Sequence, residues 1–104
     1  MQIQINPGDG VHHSDALEQH IKESLGVLEK RFGDRLTRLE IHMSDINGPK
    51  GGVNKEVRIE ARPNGLDPVM ASATEDDVYD AARTAISKLE KVLSTRFGKL
   101  DDRR

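Results

Sequence analysis

Cysteine and tryptophan are both missing from this chain of 104 residues, and one tyrosine and two phenylalanines are its only aromatics. Without cysteine there are no disulfides, no thiolate nucleophile and no cysteine-based zinc site. With aromatics at 3%, the core has to be assembled from aliphatic side chains, and a sheet studded with base-stacking rings is excluded. No apolar run approaches the length of a membrane span, and nothing after Met1 reads as a charged segment leading into a signal-peptide core. A soluble cytoplasmic protein without a membrane partner is the expectation. Neither sign of charge dominates: 16 Lys and Arg face 18 Asp and Glu, for a net charge of −2. Phosphate affinity comes from neutralisation by Lys and Arg, so this balance counts mildly against nucleic-acid binding. A basic stripe on one face can still bind RNA while acids elsewhere offset it. At this length a single domain spanning 1–104, with one modest core, is expected.

What is present is clear periodicity. Gln2–Asn6 alternates polar and apolar, with Ile3 and Ile5 on one face of a first strand. Pro7-Gly8-Asp9-Gly10 breaks it, and Asp15 with Glu18 forms a capping box for a helix. Leu17, Ile21, Leu25, Leu28 and Phe32 then form one apolar stripe, which Gly33 ends with a left-handed cap. Leu39, Ile41 and Met43 alternate with polar residues in a second strand, and Val57, Ile59 and Ala61 do so in a third. Between them, Asn47–Gly52 is too glycine-rich to continue either strand. Pro63-Asn64-Gly65 turns the chain into a fourth strand around Val69–Ala73. Thr74 with Asp77 forms a second capping box. The last helix buries Val78, Ala82, Ala85, Ile86, Leu89 and Leu93 and is expected to end at Gly98. The order is β-α-β-β-β-α. One-sided strands and two amphipathic helices predict an α+β two-layer sandwich, a four-stranded sheet with both helices on one face.

Helical geometry sorts the last helix into faces. With Leu89 and Leu93 turned to the sheet, Thr84, Ser87, Lys88, Lys91, Thr95 and Lys99 lie outward, cations interleaved with hydroxyls. Such a strip suits phosphate oxygens, which take charge-assisted bonds from Lys and Arg and neutral ones from Ser and Thr. On charge pattern alone, a solvated face with cations drawn to the C-terminal dipole is the simpler reading. Lys30, Arg31 and Arg35 gather at the end of the first helix, where the dipole favours them whatever their function. His12, His13 and His20 with Asp15 raise a metal site. Adjacent loop histidines diverge, however, and His20 and His42 fall on polar faces, so surface histidines are the reading preferred and no metal or other cofactor is expected. The Gly48–Gly52 loop beside Lys50 lacks P-loop spacing and reads as a hinge or hairpin loop. No catalytic motif occurs and nothing pairs two carboxylates in an apolar pocket, so neither an enzyme nor a small-molecule substrate is expected.

Three segments carry a resemblance: the opening QIQI strand, a first helix ending in LEKRF, and a last helix with Asp77-Val78-Tyr79-Asp80-Ala81-Ala82 followed by Lys88-Leu89-Glu90-Lys91. Together they resemble the ribosome hibernation promoting factor family, which includes the ribosome-associated inhibitor proteins. The resemblance covers nearly the whole chain. It implies a fold like the double-stranded-RNA-binding domain with an added first strand. It also implies binding to the small ribosomal subunit and its rRNA, in the channel of mRNA and tRNA, with translation blocked or idle ribosomes stabilised under stress. By position, Lys88 and Lys91 match basic positions of the family's last helix, Lys30 one late in the first helix, and Lys99 one near the end. Arg31 adjoins the first-helix site and Arg96 lies beside Thr95, where the family commonly has a lysine. These six are the candidate RNA-binding residues, acting on phosphate rather than on sequence. Tyr79 is expected to pack or cap rather than stack on a base. Val27 also stands where short members commonly carry Lys, and the Ser44–Lys55 loop is longer and richer in glycine. The chain ends soon after the last helix, so a short form without the additional domain of long members is expected.

The thinned basic surface motivates an alternative: a protein-interaction or stress-adaptor module on the same fold that has lost rRNA binding. In that case the fourth-strand edge, with Val69 and Met70, takes a partner strand or forms a weak homodimer.

Overall fold

The computed structural model describes residues 1–8, 11, 14–46 and 55–102. The elements follow the expected order: β1 (Gln2–Pro7), α1 (Asp15–Phe32), β2 (Leu36–Asp45), β3 (Lys55–Pro63), β4 (Val69–Glu75) and α2 (Val78–Asp102). A 3-10 turn, Gly33–Arg35, joins α1 to β2. The sheet order is β1-β2-β3-β4. β1 runs parallel to β2, as a helical crossover permits, while β3 and β4 add antiparallel. The result is a mixed sheet with both helices on one face.

Pairing register explains why the alternation reads so cleanly. Ile5, Ile41, Ile59 and Ala71 form one row across the four strands, and Ile3, Leu39, Ala61 and Val69 the next. Both rows face the helices. Ile21, Leu25 and Leu28 of α1 and Leu89 and Leu93 of α2 are fully buried above them. Each such aliphatic side chain contributes roughly 1.5–3 kcal/mol on leaving water. Leu36 is also buried, although it is an odd number of residues from Leu39. A register shift between Leu36 and Arg38 restores the parity, and the Thr37 hydroxyl donates to the Arg62 carbonyl at 2.8 Å there.

The ends of elements differ from expectation, each for a local reason. The N-cap of α1 is Ser14, whose hydroxyl accepts the Leu17 N–H at 3.1 Å, so Asp15 lies inside the helix and only charges its first turn. Asp77 caps α2 by itself, accepting the Tyr79 N–H at 2.7 Å on its carboxylate and the Ala81 N–H at 3.0 Å on its carbonyl. Thr74, expected in that cap, is still part of β4. Gly33 is right-handed (φ −51°) and feeds the 3-10 turn instead of closing a left-handed cap. Among the described residues, the positive φ falls on Gly65 (+80°), in the turn between β3 and β4. α2 runs through Gly98 to Asp102, because Phe97 is buried and Leu100 packs on the core beyond it. Val69 turns inward and is buried, leaving Met70 as the exposed apolar side chain of the β4 edge.

Both helices run in the same direction. His20 meets Tyr79 near their beginnings, with ring centroids 4.7 Å apart, and Phe32 stacks on Phe97 near their ends at 5.7 Å. At 25 residues α2 is about 37 Å long, whereas the seven-residue β4 spans about 23 Å. The last turns of α2 therefore pass the end of β4 and pack on α1 and the 3-10 turn. The Asn47–Gly52 loop, including the Gly48–Gly52 segment, and His12 and His13 lie outside the described residues.

Candidate nucleic-acid interface

Lys88, Lys91, Thr95 and Lys99 recur at spacings of three and four along α2, and all four are exposed on its outward side. Ser87 is exposed beside them. Thr84 is half-buried, and its hydroxyl donates to Glu75 Oε2 at 3.2 Å. Arg96 follows Leu89 by seven residues, almost two turns, and so continues the apolar stripe. It is nevertheless exposed, because α2 has by then passed the end of the sheet.

The candidate cations differ in what already holds them. Among the described residues, no carboxylate lies within ion-pair distance of Lys30, Lys91, Arg96 or Lys99. Lys88 reaches back to β4, its Nζ donating to the Ser72 carbonyl at 3.2 Å. Arg31 ties the helices together: Nη2 donates to Ser94 Oγ at 3.1 Å, Nη1 lies 3.7 Å from Glu90 Oε2, and the guanidinium rests 5.1 Å from the Phe32 ring. Glu90 is thereby engaged by Arg31. Asp80, the main acid near the start of the strip, pairs with Arg83 one turn on.

The Phe32–Phe97 contact brings Lys30, Arg31, Arg96 and Lys99 to one end of the molecule. Lys88 and Lys91 lie nearer the middle of α2. The two helix C-termini meet at that same end, so their carbonyl dipoles favour the cations gathered there. Farther along, a groove of about 320 Å³ separates the helices, with Val27 on one wall and Ile86 and Ser87 on the other. Val27 is 53% exposed at its lip, on the solvent face where a lysine would leave its head in water. Tyr79 is half-buried against the core and His20, so its ring is not laid open as a stacking platform.

Sequence reasoning placed Arg35 in the basic cluster without giving it a role. Its guanidinium packs 3.9 Å from the Phe97 ring centroid and forms a two-bond pair with Asp101. The partner comes from a helical turn beyond the expected end at Gly98, so no local signal announced it. Among the described residues, no three or more His, Asp or Glu side chains converge as a metal site, and no helix is long and apolar enough to cross a membrane.

The chain has relatives of this architecture. A ribosomal subunit interface protein from Coxiella burnetii superposes with a TM-score of 0.76 at 27% identity, covering 94% of this chain and 99% of its own. The N-terminal domain of Protein Y from Thermus thermophilus gives a TM-score of 0.74 at 21% identity, over 93% of this chain and 99% of its own, a likeness of fold. No curated protein sequence matches significantly. The sequence profile of one family spans residues 3–101, and on that match the chain belongs to the sigma 54 modulation protein / S30EA ribosomal protein family.

Proposed function

We propose that this protein is a non-enzymatic, cytoplasmic ribosome-binding factor. It occupies the mRNA and tRNA channel of the small subunit and, under stress, inhibits translation or stabilises idle ribosomes. Family membership supports the ribosome as partner, and the similar Coxiella protein is itself described as a ribosomal subunit interface protein. The observation that carries the reading on this chain is the set of exposed cations with no ion pair among the described residues, Lys30, Lys91, Arg96 and Lys99, with Lys88 and Arg31 beside them. Such cations can neutralise rRNA phosphates without first giving up a carboxylate, and they position without reading sequence. No cofactor and no small-molecule substrate enters this role.

Co-sedimentation with purified small subunits and intact ribosomes, at low and high salt, tests it. Saturable binding that weakens with salt, and that is lost in K88E/K91E with the fold intact, supports the reading. Retention of that double variant on small subunits moves the contact elsewhere.

The alternative, a protein-interaction module using the β4 edge, draws on Met70, which is 53% exposed on the edge strand. It predicts no ribosome binding at low salt and a mass that rises with concentration through weak homodimerisation.

A further inference from the structure

Arg35 is held as an anion receptor is held. Its guanidinium sits over the Phe97 ring, 3.9 Å from the centroid, a contact that restricts the fork before any ligand arrives. Nη1 and Nη2 then donate at 3.2 and 3.0 Å to the two carboxylate oxygens of Asp101. Two parallel N–H···O bonds from one guanidinium are also the arrangement by which arginine binds a phosphate. The Asp101 carboxylate thus stands in for two phosphate oxygens.

The pair is accessible to a competitor. The Arg35 and Asp101 side chains are 35% and 46% exposed, so water already competes for their bonds and the pair contributes little to stability. A polar hollow of about 290 Å³, lined by residues 29–35, opens next to Arg35. Lys30 and Arg31 line it, as do the acids Glu29 and Asp34. Lys30, Arg96 and Lys99 gather at the same end of the molecule without carboxylate partners among the described residues. A polyanion drawn to those cations brings its phosphates to the fork that Asp101 occupies.

We propose that Arg35 is a further phosphate-contacting residue of the cationic surface, and that Asp101 is a built-in competitor which fills its fork until a nucleic-acid phosphate displaces it. This rests on the RNA-binding reading above for the nature of the polyanion. The contact with Phe97 restricts the guanidinium during the exchange, so the incoming phosphate replaces one oxyanion with another and the fork does not reorganise.

The test is fluorescence anisotropy of a labelled RNA duplex of about 16 base pairs at low salt, the length spanned by folds of this kind. Removing the competitor in D101N tightens binding about two- to fivefold, the range expected for releasing an exposed pair. Asp102→Asn removes the same charge one residue on, from a carboxylate with no ion pair among the described residues, and changes affinity less. In an R35Q background the gain from D101N disappears. R35K, which keeps the charge and loses the fork, serves the same comparison if R35Q does not fold. Equal gains in D101N and D102N, a gain that survives R35Q, or no RNA binding by any variant overturns the proposal. Parallel co-sedimentation with small subunits separates the two readings. RNA binding with the D101N gain but no ribosome association removes the ribosome assignment and leaves Arg35 in place. Ribosome association without the gain does the reverse.

Discussion

The Nζ of Lys88 donates to the carbonyl of Ser72 at 3.2 Å, so a cation of α2 covers a backbone acceptor on the free edge of β4. An edge strand with open carbonyls and an exposed Met70 is a template for pairing, and a lysine laid over it blunts that tendency. Lys88 therefore has two duties if it also contacts phosphate, and variants can separate them. K88E should weaken RNA binding and also allow concentration-dependent self-association, seen by analytical ultracentrifugation. K91E should weaken RNA binding to a similar degree and remain as monomeric as the wild type. Equal masses for the two variants at every concentration would show that the Ser72 contact guards nothing.

The cations without an ion pair among the described residues and the engaged cations should differ in their salt dependence. Each phosphate neutralised contributes roughly 0.7–0.9 to the slope of log affinity against log salt. Single alanine variants of Lys91, Arg96 or Lys99 should each lower the slope by about that amount, with melting temperatures unchanged. Arg31→Ala removes the bond to Ser94 and the pair with Glu90, and should cost about 0.5–1.5 kcal/mol of stability. It also frees Glu90 beside the strip. Its loss of affinity should therefore exceed what one lost phosphate contact explains.

These differences show where sequence reading reached its limit. The alternation in β3 and the stripe from Leu17 to Phe32 were legible because each position's burial is set by period alone. Caps were misplaced by a residue or more because a hydroxyl at Ser14 and a carboxylate at Asp15 look equally able in sequence, and only backbone geometry selects Ser14. The overrun of α2 past Gly98 depends on Phe97 finding Phe32 across a separation no local pattern records. The cationic character of the strip was readable from spacing. That Lys88 bonds β4, Arg31 bonds Ser94 and Arg35 bonds Asp101 was not, since each partner comes from another element.

The Phe32–Phe97 stack is the aromatic centre of the helix ends, and with so few aromatics nothing nearby replaces it. Phe97 is 3% exposed and also carries the Arg35 guanidinium. Phe97→Ala should cost about 3–5 kcal/mol in chemical denaturation, a large share of the stability of a domain this size. The last turns of α2 should fray first, detectable as fast amide exchange from residue 94 onward. A loss below about 1 kcal/mol would mean that the ends of the helices are not held by this contact.

Val27 offers the converse experiment, adding a cation where the solvent face lacks one. It is 53% exposed at the lip of the groove between the helices, so Val27→Lys buries no charge and should alter stability by less than about 0.5 kcal/mol. Glu90 on the same groove already pairs with Arg31, so the acid that competes with phosphate for the new ammonium is Glu23, one turn back on α1. If the cleft side of the two helices faces rRNA, V27K should tighten small-subunit binding at low salt and steepen the salt slope by roughly 0.7–0.9. An unchanged slope with tighter binding would mean that the gain is not electrostatic, since phosphate contact and long-range attraction both weaken with salt. No change in either would place the rRNA contact on the far side of α2, around Lys88 and Lys91.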